Sequence, residues 1–243
     1  GRWITRKAIT DRIDLPAVRR EAKLRPGPSN GGCGLMSRKI RDAALRRGIT
    51  CLYHFTPLAN LTSILVHGLV SRDILDQHQA TYTYTDPWRL DGRSDAVSLS
   101  IHGINERMFF EKRRQAPRCD WVIFEIDPSV LWTSKCRFCW RNAASRDITV
   151  RTGNIGGPWA FEGMFFDTPV SFQDNRSMRA ANNMPDYKPT RNDAEVQVLE
   201  PIAPDLLRGL IVDSDRVRHF VEAVMTEIER VLPIAVDPRI AAQ

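Results

Sequence analysis

Two short stretches carry side chains suited to work on a sugar–phosphate ligand. The first is YHFTPLANLTSILVHGLVSR, Tyr53 to Arg72. His54 stands at the end of a β-rich run, and Pro57 follows as a residue that opens helices. An imidazole in that place can hydrogen-bond a ribose hydroxyl, Thr56 a polar group, and Asn60 a carboxamide or a phosphate. The first turn of the helix adds unpaired backbone donors and a positive dipole end, which suit a polyphosphate. Read alone, the segment is better described as a satisfied core histidine beside a capping threonine. The second stretch is NDAEVQVLEPI, Asn192 to Ile202. Strand alternation puts Asp193 and Glu195 on one face, and Val196 and Val198 on the other. A carboxylate at the entrance to a strand, behind a long loop, can face a cleft. Cleavage of a glycosidic bond passes through an oxocarbenium-like state, which a carboxylate stabilises directly or by orienting a sugar hydroxyl. By themselves these residues also fit an exposed acid at a sheet edge.

Two further groups have weaker chemistry. Between Tyr84 and Arg114, arginines alternate with aspartates before a strand, and Asn105, Arg107, Lys112 and Arg113 follow it. Arginines there can hold phosphates bidentately, although solvated ion pairs are the plainer reading. Cys136-Arg-Phe-Cys139 has the spacing of a zinc knuckle. A structural zinc needs four ligands and no second pair follows, so the cysteines are expected to pack beside Phe138 and Trp140, with no metal bound.

These residues need elements to hold them. Ile49 to Thr56 reads as a buried strand, and Pro57 starts a helix whose Leu58, Leu61, Ile64 and Leu65 recur at helical spacing until Gly68. Strands are predicted at Ala96 to Ile101, Trp121 to Ile126, Glu195 to Leu199 and Leu210 to Val212, with helices near Asn105 to Arg114 and Ala160 to Phe166. A final helix is capped by Ser214 and presents Val217, Phe220, Val221, Val224, Ile228 and Val231 on one face. Thr168 to Asp193 is polar and aperiodic, a length of loop that is usually functional or mobile. The compact domain is expected over residues 36–235, beginning with a short basic helix that Ser37 caps. Residues 1–35 form a basic extension or linker, with a short helix from Asp14 to Lys23 and a helix-breaking PGPSNGGCG run, Pro26 to Gly34.

A chain of 243 residues with 42% hydrophobic and 26% charged residues can bury a sizeable core. The net charge of +6 favours polyanionic partners, since lysines and arginines displace counterions from phosphates. No apolar run has the length of a bilayer span, and no apolar segment follows the charged N-terminus, so a cytoplasmic protein is expected. The five scattered cysteines are a poor disulfide framework and agree with a reducing compartment.

Taken in order, the segments resemble one family, the DarT-like NAD-dependent ADP-ribosyltransferases that modify bases of nucleic acid. The resemblance spans about Ile49 to Val212. It rests on YHFT-x3-NL-x2-IL-x2-GL-x-SR, then RLDG, then VSLSI with N-x2-MF, CRFCWRNAAS, F-E-x-MF-x-D, and D-AEV at Asp193 to Val196. It implies an α+β fold, the ADP-ribosyltransferase or PARP-like split β-sheet with flanking helices, with NAD as the substrate that supplies ADP-ribose. It makes Glu195 the catalytic glutamate. It places His54, Phe55, Thr56, Asn60, Arg72 and Asn105 about the NAD, with nicotinamide against Phe55 or another aromatic. The loop ending at Asp193 would recognise the acceptor, with Arg179, Tyr187 and Arg191 touching nucleic acid. In the segment that matches the family's catalytic arginine, this chain has Asn105-Glu106-Arg107-Met108. Arg107 is then the candidate replacement, with Arg113 as an alternative. Single-stranded DNA is the expected acceptor, as part of a toxin or anti-phage activity, with an antitoxin or a macrodomain hydrolase as partner. An RNA base as acceptor, water as acceptor, and a nucleic-acid-binding module that has lost catalysis are the alternatives.

Overall fold

Runs rich in β-branched and aromatic residues assemble the sheet, and short apolar stripes fix the helices against it. The computed structural model describes residues 31–84, 90–150 and 155–240. In chain order the elements are α1 (Gly31–Arg47), β1 (Leu52–Pro57), a 3-10 turn (Leu58–Asn60), α2 (Leu61–His67), α3 (Arg72–Gln77), β2 (Val97–Ile101), α4 (Glu106–Gln115), β3 (Trp121–Ile126), α5 (Val130–Thr133) and β4 (Cys136–Cys139). They continue with α6 (Arg146–Thr149), α7 (Pro158–Gly163), α8 (Met178–Ala181), β5 (Glu195–Val198), β6 (Leu207–Val212), α9 (Asp215–Glu227) and β7 (Ile234–Val236). The result is an α+β fold around one seven-stranded sheet of order β4-β5-β2-β1-β3-β6-β7.

The sheet is split at its centre. β1 pairs with β3 along its whole length, from Leu52↔Ile126 to Pro57↔Trp121. With β2 it pairs only through Leu52↔Ile101 and Tyr53↔Ser100. Beyond that point β2 turns its pairing to β5, through Val97↔Val198 and Leu99↔Val196. The two strands therefore diverge from His54 onward, opening a cleft between β1 and β2. One core underlies both halves, and a smaller cluster covers the other face of β3. The main core buries Leu52, Phe124, Phe138 and Phe161, while Phe109, Trp121, Ile123 and Ile240 form a smaller cluster that Phe55 and Tyr53 join.

Several expectations are corrected by packing. The helix predicted to start at Ser37 begins at Gly31, so the GGCG run is helical. Burial of Ile40, Ala43 and Ala44 further along the same helix outweighs the local cost of glycine. The expected helix at Asp14 to Lys23, like most of the basic extension, lies outside the described residues. The face assigned to α9 is narrower than its sequence suggests. Val217, Val221 and Met225 are buried, whereas Phe220 and Val231 are exposed. The zinc-knuckle segment is strand β4, paired with β5 through Cys136↔Val198 and Cys139↔Glu195. Both thiols are free and buried, and burial pushes each up to about 12. No cluster of metal-ligating side chains occurs among the described residues. The long loop from Thr168 to Asp193 is also less loose than its composition implies. Asp167 accepts hydrogen bonds from the Ser177 hydroxyl and from the Arg179 and Thr168 amides, which fastens the start of the loop to its middle, and near its far end the Thr190 amide donates to the Met164 carbonyl at 3.0 Å. No helix among the described residues is long and apolar enough to cross a membrane.

Candidate active site

Three spaces adjoin along the split. The first, a cavity of about 180 Å³, lies in the cleft between β1 and β2 and is lined by His54, Phe55, Thr56, Asn60, Arg72 and Ser98, among others. The second, about 330 Å³, shares His54, Phe55 and Ser98 with it and reaches Asn105, Lys112, Asp193 and Glu195. The third is a groove of about 1060 Å³. It shares Asn105, Met108, Asn142, Asp193 and Ala194 with the second and extends past Arg107, Arg141, Lys188 and Arg191.

His54 stands at the first junction because strand β1 ends its pairing with β2 one residue earlier. Its Nδ1 lies 2.9 Å from the Ser98 carbonyl oxygen. A carbonyl can only accept, so Nδ1 carries the proton, and in the neutral ring Nε2 is an acceptor. That is the pairing a ribose hydroxyl requires. Thr56 is buried, and its hydroxyl oxygen accepts from Asn60 at 2.9 Å. Asn60 also donates to the Thr83 carbonyl and accepts from the Thr83 amide, at 2.7 and 2.8 Å. Its carboxamide therefore fastens the segment after α3 over the cavity that it also lines. The helix start predicted at Pro57 is likewise modest. It is a 3-10 turn, and the Leu58 amide already donates to the Asp120 carbonyl. Arg72 lies over the Tyr84 ring at 4.8 Å, both on the wall of the first cavity. Phe55 packs against Phe109 and Trp121, with ring centroids 5.0 and 6.0 Å away, and this fixes its orientation at the junction.

Glu195 opens strand β5 and lines the second cavity. Its Oε2 accepts from the Ala143 amide at 3.1 Å, and Asp193 accepts from the Asn142 amide at 3.3 Å. The turn after β4 thus presents successive N–H groups to two carboxylates on one wall, and Arg141 lies 3.6 Å from Asp193 as an ion pair. Asn105 caps α4 by accepting from the Met108 amide, and it lines both the second cavity and the groove.

The basic residue of the second cavity is not the expected one. Arg107 is exposed and lines the outer groove, and it is not in the lining of the second cavity. Arg113 packs on Phe109 and donates to the Ile240 carbonyl. Lys112, one helical turn after Met108, shares the cavity with Glu195. The i, i+4 relation between the two was the available signal. Two of the residues expected to meet nucleic acid are also engaged within the protein. Arg179 donates to the carbonyls of Lys188 and Pro185 and to the Thr190 hydroxyl, which makes it a staple of its own loop. Tyr187 is half-buried against the core and stacks on His102 at 3.8 Å. Arg191 is on the groove wall, as is Lys188.

A family model described as DarT, ssDNA thymidine ADP-ribosyltransferase, matches residues 53–241. No curated protein sequence matches the chain. Among solved structures, the chain is similar to Thermus sp. 2.9 DarT in complex with ADP-ribosylated ssDNA, at 14% identity and a TM-score of 0.55, over 80% of this chain and 97% of that one. It is similar to the same protein in complex with NAD+, at 14% identity and a TM-score of 0.50, over 79% of this chain and 98% of that one. Against Thermosipho africanus DarTG in complex with ADP-ribose, at 14% identity and a TM-score of 0.48, it covers 79% of its own length and spans half of that chain, 50%. At this identity the likeness to the solved structures is one of fold.

Proposed function

The chain belongs to the DarT family of ssDNA thymidine ADP-ribosyltransferases, and on that footing we propose that it transfers ADP-ribose from NAD to a base of single-stranded DNA, with Glu195 as the catalytic carboxylate. The observation that carries this reading is the run of three adjoining spaces, with His54 at the first junction and Glu195 in the middle one. A dinucleotide fits a two-chamber cleft, and a polymer fits an open groove with basic walls.

In this reading the adenosine side of NAD enters between β1 and β2, where Arg72 faces its phosphates. The nicotinamide ribose lies in the second cavity, where the His54 ring accepts a hydroxyl proton. The bond between ribose C1′ and the nicotinamide nitrogen breaks, and its electron pair leaves with nicotinamide. Positive charge then lies on C1′ and the ring oxygen. Glu195 orients the 2′-hydroxyl or takes the proton released when the acceptor nitrogen bonds to C1′. The acceptor base must leave any stack to reach this point, so a single strand in the groove is the natural substrate. Lys112 takes the place in the cavity that the sequence pattern gave to Arg107. The catalytic domain is proposed to fill residues 36–235, with 1–35 as a basic extension. A cytoplasmic toxin or anti-phage setting, with an antitoxin or macrodomain hydrolase as partner, completes the proposal.

Incubation with NAD labelled in the adenylate half, and with separate single-stranded DNA and RNA, tests it. Label is expected on DNA, and Glu195→Ala is expected to lower transfer at least about a hundredfold while the protein stays folded. Label on RNA alone would favour the RNA-modifying alternative. A variant with transfer near that of the wild type would remove Glu195 from the chemistry.

A further inference from the structure

Glu195 is not alone on its wall of the second cavity. Asp91, from the turn before β2, lines the same space. It is held from behind by a side chain that never meets solvent. Gln197, two residues along β5 from Glu195, is fully buried at 0% exposure. Arg137 on β4 faces it in register and donates to Gln197 Oε1 at 2.5 Å. Arginine has donors only, so this contact fixes which end of the amide is the oxygen. The Nε2 end then points at Asp91 and donates to its Oδ2 at 2.7 Å. The Arg93 amide donates to Oδ1 at 3.3 Å. Both contacts use Asp91 as an acceptor.

A buried amide is costly unless both ends are paired, and a chain of paired groups holds its last member in one place. Here the chain Arg137–Gln197–Asp91 starts on an edge strand, crosses the catalytic strand and ends on a carboxylate in the reaction cavity. Ion pairing on the surface would not need a fully buried glutamine to position it. A cavity wall with Asp91, Asp193 and Glu195 suits a substrate that carries positive charge at its reacting end. On the reading above, NAD does so throughout, first on the pyridinium ring and then on C1′ and the ring oxygen after the glycosidic electron pair departs with nicotinamide.

We propose that Asp91 is a second catalytic carboxylate, set against the nicotinamide ribose to stabilise that migrating positive charge, with Gln197 and Arg137 as its positioning residues. This rests on the assignment of the second cavity to the nicotinamide end of NAD. Its test is Asp91→Asn, which keeps an acceptor for Gln197 and removes the charge. Nicotinamide release at saturating NAD is expected to fall at least about tenfold. Affinity for ADP-ribose, which lacks the cationic ring, should stay within about threefold by calorimetry. Wild-type release by D91N would overturn the proposal. So would ADP-ribose affinity that falls in step with turnover, because that result marks a structural role. Should D91N fail to fold, the wild-type protein carries the test. It should bind NAD+ at least several-fold more tightly than NADH, whose nicotinamide ring is uncharged, and equal affinities would overturn the idea. Failure of the wild-type protein to release nicotinamide at all would instead undo the underlying functional reading.

Discussion

Replacing His54 by alanine removes a ring that both bridges the split in the sheet and lines the two ligand cavities. The bridge to Ser98 is one hydrogen bond and contributes about 1 kcal/mol to stability, which a sheet of this size tolerates. The ligand contact is the larger loss in function. His54→Ala is therefore expected to weaken NAD binding about tenfold or more, with a cooperative unfolding transition retained. Calorimetric titration that gives unchanged affinity would leave His54 with the bridging role alone. The place of His54, Phe55, Glu195 and Asn105 on the cavity walls was legible in the sequence because their motifs sit at strand ends and helix caps, where side chains must face a cleft or a terminus. The partners that Asn60, Arg179 and Tyr187 take within the protein were not legible. An amide or guanidinium suited to a ligand is equally suited to loop carbonyls, and residue type does not say which partner folds next to it. Asn60 is occupied by Thr83 and Thr56, Arg179 by its own loop, and Tyr187 by His102. That Lys112 and Asp91 share a cavity with Glu195 follows only from the fold, although the sequence already set Lys112 among the basic residues after β2.

The strands that enclose the site were the most legible elements. Trp121 to Ile126 is β3 with the predicted ends, and β2 and β5 differ from prediction by a residue at one end. β3 is a buried apolar run broken only by Glu125, whereas β2 and β5 alternate apolar and polar residues. β4 and β7 were missed for a shared reason. They have four and three residues and stand at the two edges of the sheet, where pairing rather than pattern makes a strand. The helix stop at Gly68 was read correctly, and its geometry shows why a glycine is needed. Its φ is +84°, and a β-carbon there would press into the Ile202 carbonyl and the backbone of Ala203 and Pro204. At this point Leu69 and Ile202 exchange backbone hydrogen bonds, at 3.0 and 2.8 Å, which tie α2 to the connection between β5 and β6. Gly68→Ala combines a left-handed backbone with a main-chain clash. It should cost at least about 2 kcal/mol, which lowers the melting temperature by roughly 4–8 °C. Calorimetry checks this, and an unchanged midpoint would mean that the two segments separate without loss.

At the scale of the whole molecule, the net charge of +6 matters for where it is placed rather than for its size. The groove beyond the reaction cavity carries Arg107, Arg141, Lys188 and Arg191 among its lining, along with Glu106, Glu111 and Asp193. Arg141 is committed to Asp147 and Asp193, at 2.9 and 3.6 Å. Arg107 and Arg191 are the arginines of this wall suited to meet phosphates, and they replace the Arg179 and Arg191 pair that the loop sequence alone recommends. Substituting Arg179 would release its loop from the carbonyls of Pro185 and Lys188 and confuse binding with folding. The Arg107→Ala, Arg191→Ala double variant avoids that. If a single strand lies in the groove, each arginine that meets a phosphate releases counterions, and the slope of log affinity against log salt should become shallower by about 0.7 per lost contact. Transfer to single-stranded DNA should fall several-fold at moderate salt, while NAD affinity stays near wild type, because the first two cavities contain neither residue. Binding measured across a salt series separates this from an inert surface charge. Parallel lines for variant and wild type would show that the polymer takes another path to Glu195, and the acceptor groove would then have to be sought elsewhere on the molecule.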